Sequence, residues 1–144
     1  IGFAVVHKEA TLENGRTVLL ELAPVDPRSL MQGDYMQLRY KLAGEVHQEE
    51  LGAKSRLVLA VDAQDRGHFV RIHAGEPLAP DEILLVCRRR DGVRIGAESF
   101  LFQEGLADLY AGARYGELKV DEAGQCLLVG LRDGSLQRLG PVEP

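Results

Sequence analysis

The chain has no CxxC pair, no HExxH, no GxSxG and no glycine-rich phosphate loop. These absences remove the common signatures of zinc and redox sites, metalloproteases, serine hydrolases and nucleotide-binding enzymes. Its four histidines, His7, His47, His68 and His73, show no ligand spacing; His68 and His73 share a strand and face opposite sides of it. No metal or cofactor is called for. Long apolar runs are also missing. The first residues, "IGFAVV", are too few to cross a bilayer, which takes about 20. This stub reads either as an ordinary first strand or as the last turns of a membrane anchor. Positive charge is scarce as well: 17 Lys and Arg stand against 22 Asp and Glu, a net of −5, and the two signs are interspersed, which argues against a nucleic-acid surface. The one basic cluster, Arg88 to Arg90, abuts Asp91-Gly92 at a predicted hairpin tip and reads as a solvated strand end rather than an anion site.

Only two cysteines are present, Cys87 and Cys126, far apart and each within an apolar run ("EILLVCRRR", "GQCLLVGL"). They fit two readings, a pair of buried small hydrophobes or a disulfide formed in an oxidising compartment. With 144 residues and no low-complexity tract or long linker, the chain makes one domain with its own core, here residues 7–144 after the stub 1–6.

Strands dominate what is there. "RTVLLELAP" sets Val18, Leu20 and Leu22 against Leu19 and Glu21, and "DYMQLRYKL" sets Met36, Leu38 and Tyr40 against Tyr35, Gln37 and Arg39. "SRLVLAVDA", "GHFVRIHAG" and "DEILLVCRRR" follow as a meander, and Asp91-Gly92 supplies the positive φ of a tight hairpin into "VRIGA". "GELKVD" and "QCLLVGL" flank "EAG", and a second Asp-Gly turn falls at Asp133-Gly134. The expected class is mainly β, an antiparallel meander or barrel-like sheet.

Two helical elements are expected beside the strands. In "QEGLADLYAGARYG" the apolar positions Leu106, Leu109, Tyr110 and Ala113 follow helical spacing, which predicts a short amphipathic helix over about 104–114 with Gly116 as its stop. A helical turn is predicted at 26–32, with Asp26 as cap, Pro27 in the first turn and Gly33 as a positive-φ terminator, after which Asp34 begins a strand. Tyr35 and Tyr40, five apart, should lie on opposite faces of that strand, one in the core with its hydroxyl satisfied.

Catalytic constellations are sparse. Asp26, Asp34 and Glu104 are the carboxylates in apolar or glycine-flanked contexts, where the ordinary role is turn former or cap and the alternative is a perturbed acid. "LMQGD" is similar to a box of the signal peptidase proteases, but Val25 stands where they carry the serine nucleophile, and Ser29 has no base placed beside it. An enzyme reading therefore reduces to a hydrolase with an unrecognised carboxylate site or a degenerate signal-peptidase-like fold.

A more specific resemblance rests on Gly33-Asp34-Tyr35, Leu38 and Tyr40, which spell G-D-Y-x-x-L-x-Y, with "LAPVDPRSL" upstream and "SFLFQEG" downstream. Over most of its length the chain resembles the bacterial GDYXXLXY family. The downstream element departs from the Tyr-Phe-Val-Pro-Glu-Gly run of many relatives, keeping Glu104 and Gly105 but losing Pro. The resemblance implies an exported domain behind a single N-terminal membrane helix absent from this chain, on the outer side of a bacterial inner membrane, often encoded with multi-spanning membrane proteins. The stub 1–6 then becomes the end of that anchor, and the expected partner is an integral membrane protein. No chemistry is inherited by any residue. The motif residues Asp26, Arg28, Gly33, Asp34, Tyr35, Leu38, Tyr40, Glu104 and Gly105 are candidates for one binding or structural unit, in which Glu104 would meet Arg28.

Overall fold

The computed structural model describes residues 15–24, 30–52, 54–103 and 105–140. Over these described residues the protein is mainly β, 45% strand against 10% helix, built of antiparallel sheets, one of them curled into half a barrel. Its strands are β1 (Arg16–Glu21), β2 (Met31–Gln32), β3 (Tyr35–Gln37), β4 (Ser55–Val61), β5 (Gly67–Ile72), β6 (Glu82–Arg89), β7 (Val93–Arg94), β8 (Ser99–Leu101), β9 (Tyr115–Val120) and β10 (Cys126–Arg132). They form three sheets, ordered β1-β9-β10, β2-β3-β8 and β5-β4-β6-β7. The last departs from a simple meander, because β6 pairs with β4 rather than with β5, which precedes it in the chain.

All three sheets contribute to a single core. Val18, Leu20, Leu118 and Leu131 come from the first sheet, Met36 from the second, and Leu57, Leu59, Leu85 and Cys87 from the third. The period-two pattern places them, since alternate residues of each strand point to one side. Strand β1 departs from the expected half-burial: Leu19, on the opposite face from Val18 and Leu20, is buried too. Its N–H donates to the Asp65 carbonyl at 2.7 Å, so the turn between β4 and β5 lies against it. Gly67, just after that turn, explains how closely β5 approaches, because a Cβ there would lie 2.8 Å from Val18 Cγ1.

Three hairpin turns share one device. At Asp62, Asp121 and Asp133, a carboxylate oxygen accepts backbone N–H bonds from two and four residues on: Gln64 and Arg66, Ala123 and Gln125, Ser135 and Gln137. Each turn then needs a left-handed residue at its fourth position, as in three-residue hairpin loops. Gly124 meets this freely at φ 93, whereas Asp65 and Leu136 meet it at φ 66 and 67. The second expected Asp-Gly turn therefore works through the Asp133 side chain, and its positive φ falls on Leu136 instead of Gly134. At Asp91-Gly92 both residues take positive φ, 53 and 101, as the sequence predicts.

The helix expected over 104–114 is corrected, and the helical turn expected at 26–32 lies over 26–29 outside the described residues, with Leu30 in a 3-10 conformation. In place of a helix over 104–114 there is a four-residue 3-10 helix, Ala107–Tyr110. The chain has no room for more: Gly105 turns at φ 89, and the Arg114 N–H already donates to the Arg132 carbonyl at the mouth of β9. Gly116 is accordingly a β9 residue and no helix stop. Within 26–32, Met31–Gln32 are strand β2, pairing with β3, so no helical turn runs through to residue 32. Asp26 and Arg28 lie outside the described residues, as do Glu104, its proposed contact with Arg28, and the stub 1–6. No described helix is long and apolar enough to cross a membrane.

Candidate functional site

The G-D-Y-x-x-L-x-Y motif builds a hairpin and then a junction. Gly33 and Asp34 form the two-residue loop between Gln32 and Tyr35, and Gly33 takes the positive φ of 64 that the loop requires. Asp34 is exposed and remains in the turn, with the strand beginning one residue later at Tyr35; its carbonyl accepts the Phe102 N–H at 3.0 Å. Beyond the loop the alternation holds: Met36, Leu38 and Tyr40 are buried while Gln37 and Arg39 are exposed. The two tyrosines point oppositely, as expected. Tyr35 is half-buried, its hydroxyl donating to Gln32 Oε1 at 2.7 Å.

Tyr40 is the junction. Its backbone bridges to Leu22 at the end of β1, next to a bond from the Ala23 N–H to the Arg39 carbonyl, so the second sheet is tied here to the first. Its hydroxyl donates to the Ala97 carbonyl at 2.6 Å, across a stretch joining β7 to β8. Its ring lies over Gly116, where a Cβ would stand 2.9 Å from the phenolic oxygen. Burial pushes the phenol well above its ordinary pKa, with the nearby Cys126 and Glu98 adding to the effect. Leu38 is fixed beside it, its N–H donating to the Glu98 carbonyl at 2.6 Å. The motif thus divides: Gly33, Asp34 and Tyr35 lie at a turn and the surface, while Leu38 and Tyr40 are buried side by side. Gly105 lies in a separate turn before the 3-10 helix, where Tyr110 packs edge-on against Phe100 with centroids 5.0 Å apart.

Two open clefts adjoin this junction, on either side of β7. One, of about 430 Å³, is lined by Leu38, Arg39, Tyr40, Asp91 and Arg94; the other, of about 460 Å³, by Cys87, Arg88, Arg90, Arg94 and Gln125. Both reach Glu98, but its carboxylate is engaged with the chain, Oε2 accepting the Ile95 N–H at 2.7 Å and Oε1 the Gly96 N–H at 3.0 Å. The run Arg88 to Arg90 is exposed, as expected. What the sequence reading did not register is its cross-strand partner: the hairpin register sets Arg94 directly opposite Arg88. Arg39, Arg94 and Glu98 are the cleft residues that sequence reasoning missed. Counting outward from the Asp91-Gly92 turn would have found Arg94.

The cysteine pair is corrected: both thiols are free, so the disulfide alternative is not realised. Cys87 sits in the core, and Cys126 donates its thiol to the Ile95 carbonyl at 3.4 Å. Burial pushes Cys87 up to about 11 and Cys126 up to about 12, with Glu98 and Asp121 adding at the latter, so neither is a thiolate at neutral pH. The perturbed carboxylates lie elsewhere. A hydrogen bond from His68 does most to hold Asp62 far below the usual carboxylate range, and Arg71 holds Glu76 at about 2. Glu117, buried on the outer face of β9, is taken by Arg132 at 3.1 Å and Arg138 at 3.3 Å. Among the described residues no three His, Cys, Asp or Glu side chains are grouped to hold a metal ion.

No curated protein and no solved structure matches the chain. A family model, GDYXXLXY protein, matches residues 1–131, nearly all of the sequence and the whole of the hairpin, junction and clefts described above. The chain belongs to the GDYXXLXY family.

Proposed function

We propose that this protein is an extracytoplasmic binding or assembly module, held at the outer side of a bacterial inner membrane by an N-terminal helix and engaging an integral membrane protein. The observation that carries the reading is the division of the motif between core and surface. Leu38 and Tyr40 are buried and form the inner wall of an open cleft of about 430 Å³, whose exposed wall is lined by Arg39 between them and by Arg94. A framework of this kind presents a surface; the acids it perturbs most, Asp62 and Glu76, are absorbed in a hairpin turn and an ion pair with Arg71. Shallow, open clefts lined by arginine suit recognition of a partner's acidic groups.

The test is crosslinking in living cells of the full-length protein followed by membrane fractionation. A specific adduct with an integral membrane protein, formed on the face that is open to an impermeant crosslinker, is expected. Recovery of the protein as an unlinked species in the soluble fraction would overturn the reading.

A further inference from the structure

We propose that the β6–β7 hairpin and the two clefts beside it form a binding site for a phosphate-bearing anion of at least two negative charges. Four arginines line the two clefts, and Arg94 is common to both. Arg88 lies near the end of β6, Arg90 follows in the turn beyond it and Arg94 is the direct partner of Arg88 on β7; these three line the same cleft. Arg39 enters from the other side of β7, where Arg94 also lines the wall. None of the four has an ion-pair partner among the described residues, although this chain carries an excess of acid.

The pairing of Arg88 with Arg94 runs against the fold's own interest. Like charges directly opposite on neighbouring antiparallel strands destabilise the pair. Four arginines elsewhere are neutralised at short range, Arg71 against Glu76 and Glu82, Arg132 and Arg138 against Glu117, and Arg66 against Asp62, while Arg56, Arg89 and Arg114 each bond a backbone carbonyl. The two acids that do line the clefts leave the excess positive. Glu98 is engaged by backbone N–H groups of Ile95 and Gly96, and Asp91 is exposed at the hairpin tip. An anion arriving between the guanidinium groups would relieve the repulsion and gain charge-assisted hydrogen bonds. Phosphate fits this array better than a single carboxylate, because its oxygens accept from several directions, whereas a carboxylate accepts in one plane. Each cleft has the volume of a small-molecule site.

The shared chemistry has two sources, a soluble phosphate compound or an anionic phospholipid headgroup, and the experiment separates them. It does not depend on tethering or on a protein partner, so it can fail while the proposed function stands, and the reverse. The whole chain is titrated with pyrophosphate by calorimetry and by NMR amide shifts, then sedimented with phosphatidylcholine vesicles made with and without phosphatidic acid, whose phosphomonoester can carry two charges. Saturable pyrophosphate binding that shifts the amides of residues 88–98 and weakens with added salt is expected. Arg94→Gln and Arg88→Gln should each lower the affinity about tenfold, the loss of one charge-assisted contact. Arg114→Gln, removing an exposed arginine whose side chain bonds only its neighbour's carbonyl, should change it less than about twofold. Sedimentation with the anionic vesicles that the same two substitutions abolish assigns the site to a lipid headgroup; pyrophosphate binding without it assigns a soluble phosphate compound. No saturable pyrophosphate binding, binding that ignores Arg88 and Arg94, or binding of polyglutamate in its place would overturn the proposal.

Discussion

Replacing Tyr40 by Phe removes one oxygen and leaves the ring in place over Gly116. The Tyr40 hydroxyl and the Ala97 carbonyl it bonds at 2.6 Å belong to residues only 4% and 5% exposed, so water cannot replace the lost donor. A buried acceptor left unsatisfied costs about 1–3 kcal/mol. With an unfolding entropy of roughly 2.1 cal/mol/K per residue, that corresponds to a fall in Tm of roughly 3–10 °C for a chain of this size. Tyr35→Phe is the internal control, because its hydroxyl bonds a Gln32 side chain at the exposed hairpin and its loss should stay within about 0.5 kcal/mol. Urea unfolding followed by far-UV circular dichroism, with the slope unchanged, measures both. Equal losses at the two tyrosines, or a neutral Tyr40→Phe, would refute the account of Tyr40 as the junction between sheets.

The remaining expectations are read in the same assay. Gly67→Ala should destabilise by about 1–3 kcal/mol, since its Cβ would press on Val18 and Leu20 in a core that does not yield, and Gly116→Ala should do likewise against the Tyr40 ring. Leu136→Gly should stabilise by about 0.5–1 kcal/mol, the relief of a bulky side chain at φ 67 exceeding the entropy glycine adds to the unfolded chain; Gly124→Leu at the equivalent turn position should destabilise. Alkaline pH should weaken the protein. Both thiols have folded pKa values raised above the ordinary 9.0, so the unfolded chain gives up these protons first. Their contribution is complete below pH 9 and is lost as pH climbs towards 11 for Cys87 and 12 for Cys126, with a slope of at most about 1.4 kcal/mol per pH unit for each. Cys87→Ala should flatten that decline, whereas an unchanged slope would show that the thiol is not the titrating group.

The fold class was legible because alternation is a direct record of which face is wet: Met36, Leu38 and Tyr40 inside, Gln37 and Arg39 outside. Glycine and aspartate marked Gly33, Asp91 and Gly92 for the same reason, that left-handed backbone excludes most other residues. The helix expected over 104–114 failed because its apolar spacing arose from two unrelated demands. Tyr110 packs on Phe100 and Phe102, while Leu109 remains exposed and Gly116 already belongs to β9 beneath Tyr40. Burial of Leu19 on the outer face of β1 was not legible either, since it depends on the turn at Asp65, distant in sequence, folding against that face. The arginine site needed strand register as well as composition: the run at 88–90 was visible, but its meaning depends on Arg94 opposite and on Arg39 in the neighbouring cleft.

The division of labour within the motif is tested most directly by comparing Arg39→Glu with Tyr40→Phe in one crosslinking measurement made in cells, each variant's unfolding free energy being known. Arg39→Glu should keep its stability within about 0.5 kcal/mol and lose the membrane-protein adduct. Tyr40→Phe, less stable but still folded, should form the adduct in proportion to its folded protein. An adduct that survives Arg39→Glu but disappears in folded Tyr40→Phe would place the binding function in the buried junction and contradict the account.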